Sequence, residues 1–115
     1  MPKSFNLIEK RFSEKYNEWQ WTYELKITFN YQEIIAITIT DHYRKKLGRE
    51  WITNELILEI LENRFNNKKS EPIDYLGDRK VFKHEITYQD KKYRFFFWFK
   101  DGTTDHLWIK NCHPL

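Results

Sequence analysis

The chain has 115 residues, of which 20 are Lys or Arg and 17 are Asp or Glu, so its formal net charge is +3. Its aromatic content of 18% argues against a disordered chain, and its three glycines and three prolines exclude collagen-like and linker-rich architectures. No apolar run reaches the roughly 20 residues of a membrane helix, and the first residues lack the apolar stretch of a signal peptide. We therefore expect one cytoplasmic domain over residues 1–115, outside any membrane.

The first forty residues change from a helical to a strand-like pattern. Apolar residues three or four positions apart predict an amphipathic opening helix, with Ser4 as its N-cap. These residues are Phe5, Ile8, Phe12, Tyr16 and Trp19. Alternating apolar and polar residues then predict a strand at 21–29 and a second one at 34–40. Because only residues 30–33 separate them, the two strands are expected to form a hairpin.

Two helices and three strands are predicted in the rest of the chain. Asp41 is expected to cap a short basic helix at 42–47, and Thr53 a longer one. The apolar face of the longer helix carries Leu56, Ile57, Ile60, Leu61 and Phe65. Residues 66–78 are predicted to be a loop. Strands are predicted at 81–88, 93–100 and 106–112, with turns at Asp90-Lys91 and Asp101-Gly102.

The element order α-β-β-α-α-β-β-β predicts an α+β fold. We expect a mostly antiparallel sheet of about five strands with helices packed on one face. The strand at 93–99 is aromatic on both faces and should lie in the centre of the sheet. His84 alternates with apolar residues, which is typical of a core histidine.

Basic residues form two clusters that are candidates for binding phosphate. The first contains Arg44, Lys45, Lys46 and Arg49. The second extends from residue 79 to residue 94 and includes the aromatic Tyr93. Cations interleaved with aromatic rings can bind the phosphates and stack on the bases of RNA. The alternative interpretation is an ordinary solvated surface, because Lys and Arg cover most small domains.

Four residues are candidates for catalysis. His42 precedes the basic cluster, where a neutral imidazole could act as a general base. Arg94 and Lys110 lie on predicted strands, which hold cations rigidly enough to stabilise a reacting phosphate, and His113 lies at the end of the last strand. Each of these residues could equally be an ordinary surface residue.

The sequence predicts no metal site and no cofactor. Cys112 is the single cysteine, so it cannot form an internal disulfide or complete a cysteine-based zinc site. The three glycines are far apart, which excludes a glycine-rich phosphate loop.

Residues 39–112 resemble a small bacterial family of unknown function that is related to BrnT and, more distantly, to RelE-type toxins. In that family a His opens a short helix, a basic and an apolar residue follow four and five positions later, and Ile-Thr or Ile-Ser begins the next helix. The matching residues here are His42, Lys46, Leu47, Ile52 and Thr53. The chain departs from the family pattern at Glu50, where an arginine is expected, and at Trp51, where a small residue is expected.

The resemblance implies a RelE-like part at 41–115, preceded by an N-terminal extension at 1–40. It also implies a metal-independent RNase that an antitoxin protein holds inactive. We therefore expect a toxin-antitoxin type protein that binds or cleaves RNA, in which the ribose 2′-hydroxyl is the nucleophile. The alternative is a non-catalytic interaction protein, such as an immunity protein or small inhibitor, that uses exposed aromatic residues as anchors. A homodimer formed through an edge strand is compatible with either function.

Overall fold

The computed structural model describes residues 5–41, 52–69, 71–76 and 79–115. Three strands come first along the chain: β1 spans Asn6–Ser13, β2 spans Glu18–Phe29 and β3 spans Gln32–Thr40. Helix α1 spans Asn54–Ile60 and continues as a π-helical segment at Leu61–Phe65. The remaining strands are β4 at Asp74–Leu76, β5 at Arg79–Tyr88, β6 at Lys91–Phe99 and β7 at His106–Pro114.

The fold is a mixed sheet, which corrects the predicted fold class. Six strands follow the order β1-β2-β3-β7-β6-β5, and the short β4 pairs with the outer edge of β5. All neighbouring strands are antiparallel except β3 and β7, which are parallel. The expected sheet of about five mostly antiparallel strands covered by several helices is therefore wrong. One short helix with its π-helical continuation lies in the described part of the chain.

The predicted opening helix is wrong, because residues 6–13 form strand β1. This strand pairs with β2 through a tight connection in which Asn17 has a φ of 51°. Phe12 and Trp19 are partners across this hairpin, with ring centroids 5.3 Å apart. The apolar spacing that resembles a helical stripe thus arises from two strands that face each other across a turn. The predicted cap, Ser4, lies outside the described residues.

The predicted strands at 21–29, 34–40, 81–88, 93–100 and 106–112 are confirmed as β2, β3, β5, β6 and β7, with small shifts at their ends. Two hairpins turn on pairs of residues with positive φ, Asn30-Tyr31 and Gln89-Asp90. Two such residues are typical of a type I′ turn, whose twist suits a hairpin. The second turn lies one residue before the predicted position. Strand β6 lies inside the sheet between β5 and β7, whereas β4 forms within the segment predicted to be a loop.

Helix α1 covers one face of the sheet, which we call the helix face. Its N-cap is Thr53, as predicted, and the Thr53 side chain accepts a hydrogen bond from the amide of Leu56 at 3.1 Å. The π-helical segment ends at Phe65, a fully buried ring that lies 5.3 Å from Phe95 and 5.3 Å from Phe97. The ring of His84 lies on the same face, 5.2 Å from that of Phe65, but His84 is half-buried at the edge of the core and not enclosed within it. The short basic helix predicted at 42–47 lies outside the described residues.

The opposite face of the sheet carries polar and aromatic side chains, and we call it the polar face. Cross-strand partners point to the same side of a sheet, so the registers assign its members. Strands β1, β2, β3 and β7 contribute Arg11, Gln20, Thr38 and Trp108, and strands β5 and β6 contribute Glu85, Arg94 and Trp98. Lys110 lies at a bulge in β7, and its contact with Glu18 places its side chain on this face. Across the described ranges, no helix is long and apolar enough to cross a membrane.

We predict that Phe65→Ala lowers the free energy of unfolding by about 3–5 kcal/mol, because it opens a cavity among packed aromatic rings. Phe12→Ala is the matched control, since Phe12 is a partly exposed ring with one cross-strand aromatic partner, and should cost about 1 kcal/mol. Urea denaturation followed by circular dichroism measures both values. Equal losses in the two variants would contradict the assignment of Phe65 to the core.

Candidate functional site

Three of the four predicted catalytic residues lie on β6 or β7. Arg94 and His113 are direct cross-strand partners. Lys110 lies at a bulge in β7, between Ile109 and Asn111. The Lys110 side chain also reaches the polar face, where it contacts Glu18. His42 and the predicted phosphate-binding residues Arg44, Lys45, Lys46 and Arg49 lie outside the described residues.

Tyr93, a predicted substrate-binding residue, lies on the opposite face of the sheet from these residues. It lies on the helix face, with 3% of its surface exposed, in register with Ile86. The pKa of its hydroxyl is raised, mainly because the group is buried. The structure therefore does not bring Tyr93 together with Arg94, Lys110 and His113.

A row of three polar side chains crosses β5, β6 and β7. Glu85 is the register partner of Arg94, which is in turn the partner of His113. Arg94 donates two hydrogen bonds to Glu85 Oε2, from Nε at 2.9 Å and from Nη2 at 2.5 Å. The imidazole of His113 stacks on Phe96 with a centroid separation of 6.1 Å. Direct partners have Cβ atoms about 4.5–5.5 Å apart, so the row places a carboxylate, a guanidinium and an imidazole side by side.

The ionisation of Glu85 is set mainly by Arg94. The hydrogen bond from Arg94 lowers the pKa of the Glu85 carboxyl, and the charges of Arg94, Lys83 and Lys92 lower it further. The carboxyl is thus ionised at neutral pH. About half of the Glu85 side chain and a third of the Arg94 side chain are exposed, so solute can reach both.

A cleft of about 440 Å³ lies on the same face, toward β1, β2 and β3. Its size is typical of small-molecule sites in proteins. Its polar lining includes Arg11, Glu18, Gln20 and Lys110, and its aromatic lining includes Trp98 and Trp108. Lys110 therefore belongs to the cleft, whereas Arg94 and His113 lie beyond it on the strands that form its wall.

Buried charged and amide groups contribute to the lining of the cleft. Glu18 and Gln20 are only 4% and 5% exposed. Lys110 Nζ donates to Glu18 Oε1 at 3.2 Å, and Gln20 Nε2 donates to Glu18 Oε2 at 3.2 Å. Arg11 completes the chain by donating to Gln20 Oε1 at 3.3 Å. These contacts compensate the burial of the Glu18 charge and leave further donor and acceptor positions on each group.

Two tryptophans supply the apolar part of the cleft. Trp98 and Trp108 are direct partners on β6 and β7. The Arg79 guanidinium lies 4.5 Å from the centre of the Trp98 ring and forms a bidentate pair with Asp101. Both Arg79 and Asp101 line the cleft. The Arg79–Asp101 pair thus covers the Trp98 ring, and Trp108 and Tyr16 are further aromatic residues that line the cleft.

A second hydrogen-bonded chain runs beside the first. Thr22 and Thr38 hydroxyls lie 2.8 Å apart, and Thr38 Oγ1 lies 2.6 Å from His106 Nε2. The pKa of His106 is lowered, mainly because the imidazole is buried, and the charge of Lys100 lowers it further. His106 is therefore neutral at physiological pH, which suits an imidazole that shares a hydrogen bond with a buried hydroxyl.

A larger concavity lies next to the cleft. A concavity of about 1040 Å³ lies beyond the Arg79–Asp101 pair, and turn and loop residues such as Tyr31, Lys69 and Gly102 contribute to its walls. In the described ranges, no three His, Cys, Asp or Glu side chains are grouped as metal ligands.

Comparisons with protein-family models, with curated proteins and with solved structures found no match to this chain. The resemblance to the BrnT-related family stays a prediction.

Sequence reasoning missed Glu85, Glu18, Gln20 and Trp108 as site residues. The alternation in β5 places Glu85 on the opposite face from His84, and this signal could have paired it with Arg94 across the 89–90 turn. Nothing in the sequence pairs Glu18 with Lys110, since 92 positions separate them.

We predict that stability falls as the pH drops from 7.5 to 5.5. Burial lowers the pKa of both His84 and His106 in the folded protein. The unfolded chain therefore binds more protons, and stability is lost as the pH falls through about 6.5, the ordinary histidine pKa. Urea denaturation at each pH should show a shallower loss for a His84→Asn/His106→Asn double variant. An unchanged slope in that variant would contradict the prediction.

Proposed function

We propose that this protein cleaves single-stranded RNA, and that the row formed by Glu85, Arg94 and His113, which we call the reaction row, is its reaction centre. The observation that carries this proposal is the register of β5, β6 and β7, which aligns the three groups on one face of the sheet, where solute can reach Glu85 and Arg94. Such a protein would act in the cytoplasm. The role predicted for His42 is not needed for this assignment and stays a prediction.

The three groups have complementary roles in attack by the ribose 2′-hydroxyl. The ionised Glu85 accepts the proton of the 2′-hydroxyl while its oxygen bonds to phosphorus. Arg94 holds the non-bridging oxygens as negative charge develops on them. The His113 imidazole, whose ring nitrogens can act as proton donors, gives a proton to the departing 5′-oxygen. The products are a 2′,3′-cyclic phosphate and a 5′-hydroxyl, so the reaction needs no further reactant.

The charge pattern of the polar face limits how RNA is held. Arg94, Lys110 and Arg79 each pair with a carboxylate, namely Glu85, Glu18 and Asp101. Paired cations attract a phosphate backbone less than free ones do, because the neighbouring carboxylate repels the phosphate. We therefore expect Arg94 to shift from Glu85 toward the phosphate as the Glu85 carboxylate takes up its proton.

The test is cleavage of end-labelled single-stranded RNA in excess chelator. Glu85→Gln, Arg94→Met and His113→Gln should each slow the reaction about 100-fold or more, because each removes a group that acts in the transition state. The product should carry a 2′,3′-cyclic phosphate.

Arg64→Met is the matched control, because Arg64 lies on the π-helical segment at the helix face. It should leave the cleavage rate unchanged, and circular dichroism checks that every variant is folded. RNA that stays intact with the parent protein would overturn the proposal. Equal cleavage by the parent and the three variants would show a contaminating nuclease.

A second function is favoured by strand β1. Its outer edge has no partner among the described strands, and its apolar residues Leu7, Ile8 and Phe12 are exposed. A long edge strand with exposed apolar residues is a template for an added strand. We propose as the alternative that the protein binds another protein by strand addition at β1.

Ile8→Lys should abolish such binding, because it places a charge on the edge strand. Ile35→Lys is the matched control: Ile35 is 45% exposed against 55% for Ile8, but it lies on the interior strand β3. In affinity capture, a partner bound by the parent and by Ile35→Lys should be lost with Ile8→Lys. A partner that Ile8→Lys retains would count against docking at β1.

A further inference from the structure

The cleft and the reaction row lie on one continuous track along β6 and β7. Arg94, Phe96 and Trp98 alternate along β6 on the polar face, and His113, Asn111 and Trp108 are their partners on β7. The four residue steps from Arg94 to Trp98 correspond to about 13 Å along the strand. A chain-like ligand whose phosphate lies at Arg94 can therefore reach the cleft.

The lining of the cleft matches the surface of a nucleobase. A base presents a flat aromatic face and an edge of hydrogen-bond donors and acceptors, and proteins bind unpaired bases by stacking and by edge contacts. Trp108 provides a ring on which a base can stack. Glu18, Gln20 and Arg11 provide carboxylate, amide and guanidinium groups, which are side chains that read base edges.

The polar network fixes the positions of these groups in the lining of the cleft. Glu18 and Gln20 are held by Lys110 and Arg11, so their positions are fixed before a ligand arrives. Fixed donors and acceptors lose little conformational freedom on binding. A cleft needed only for stability would be filled better by apolar side chains, because burying the Glu18 charge costs solvation.

We propose that the cleft is a nucleobase-binding subsite, in which Trp108 stacks on a base of the RNA strand that passes the reaction row. The choice of RNA as the ligand rests on the proposed function, whereas the stacking and edge contacts rest on the cleft itself. The subsite would make cleavage depend on a base that lies beyond the reacting phosphate.

The test uses an RNA tetranucleotide with one of each base, 2′-O-methyl groups throughout and a fluorescein label, and it measures binding by anisotropy. The probe cannot be cleaved, because its 2′-oxygens are blocked. Trp108→Leu should weaken binding about 10-fold by removing the stacking surface. The factor should be the same at low and high salt, because no phosphate contact is lost.

Two controls separate the subsite from other causes. Trp19→Leu removes a partly exposed indole on the other face of the sheet and should leave binding unchanged. Trp108→Phe keeps an aromatic ring and should bind with intermediate affinity, which serves as the decisive variant if Trp108→Leu does not fold.

The outcomes distinguish this inference from the proposed function. No binding by the parent protein, or equal binding by all folded Trp108 variants, would overturn the subsite even if the protein cleaves RNA. Loss of binding only in the Trp108 variants would support the subsite. The subsite would be supported even if neither the parent protein nor the Glu85→Gln variant cleaves RNA. That cleavage result would overturn the reaction row alone.

Discussion

Parallel pairing between β3 and β7 is the interaction on which the arrangement of the polar face depends. It joins the antiparallel strands β1, β2 and β3 to the antiparallel strands β7, β6 and β5 in one sheet. Without this pairing Lys110 would not reach Glu18, and Trp108 would not lie beside Thr38. Parallel neighbours need a long connection, and here α1 and the strands β4, β5 and β6 all come between β3 and β7 in the chain.

The alternation of side chains along each strand couples the packing of the helix face to the composition of the polar face. In β6, Phe95 and Phe97 pack under the helical segment, which obliges Arg94, Phe96 and Trp98 to point to the other side. The same holds in β5, where His84 contacts Phe65 and its neighbour Glu85 meets Arg94. A densely packed aromatic core thereby fixes the registers that align the reaction row, since a shift of one residue would invert both faces.

The polar face combines two electrostatic environments. Around the reaction row, Glu85 and Arg94 are partly exposed and form a pair that solvent can reach. In the cleft, Glu18 is almost fully buried and depends on Lys110 and Gln20 for compensation. Exposed pairs exchange partners at little cost, whereas buried pairs hold their geometry. In the proposed function, the first environment holds the groups that take up and release protons, and the second holds the recognition surface.

The sequence alone determined most of the local structure. Period-two alternation predicts five of the strands, and Thr53 marks the start of α1, because these signals act between neighbours along the chain. It failed at β1, where Phe12 and Trp19 mimic a helical stripe, since cross-strand pairing is invisible to local spacing. Arg94, Lys110 and His113 could be selected by residue type. Only the tertiary structure decided that Glu85 joins Arg94 and that Glu18 joins Lys110, because strand order and register bring together residues that the sequence keeps apart.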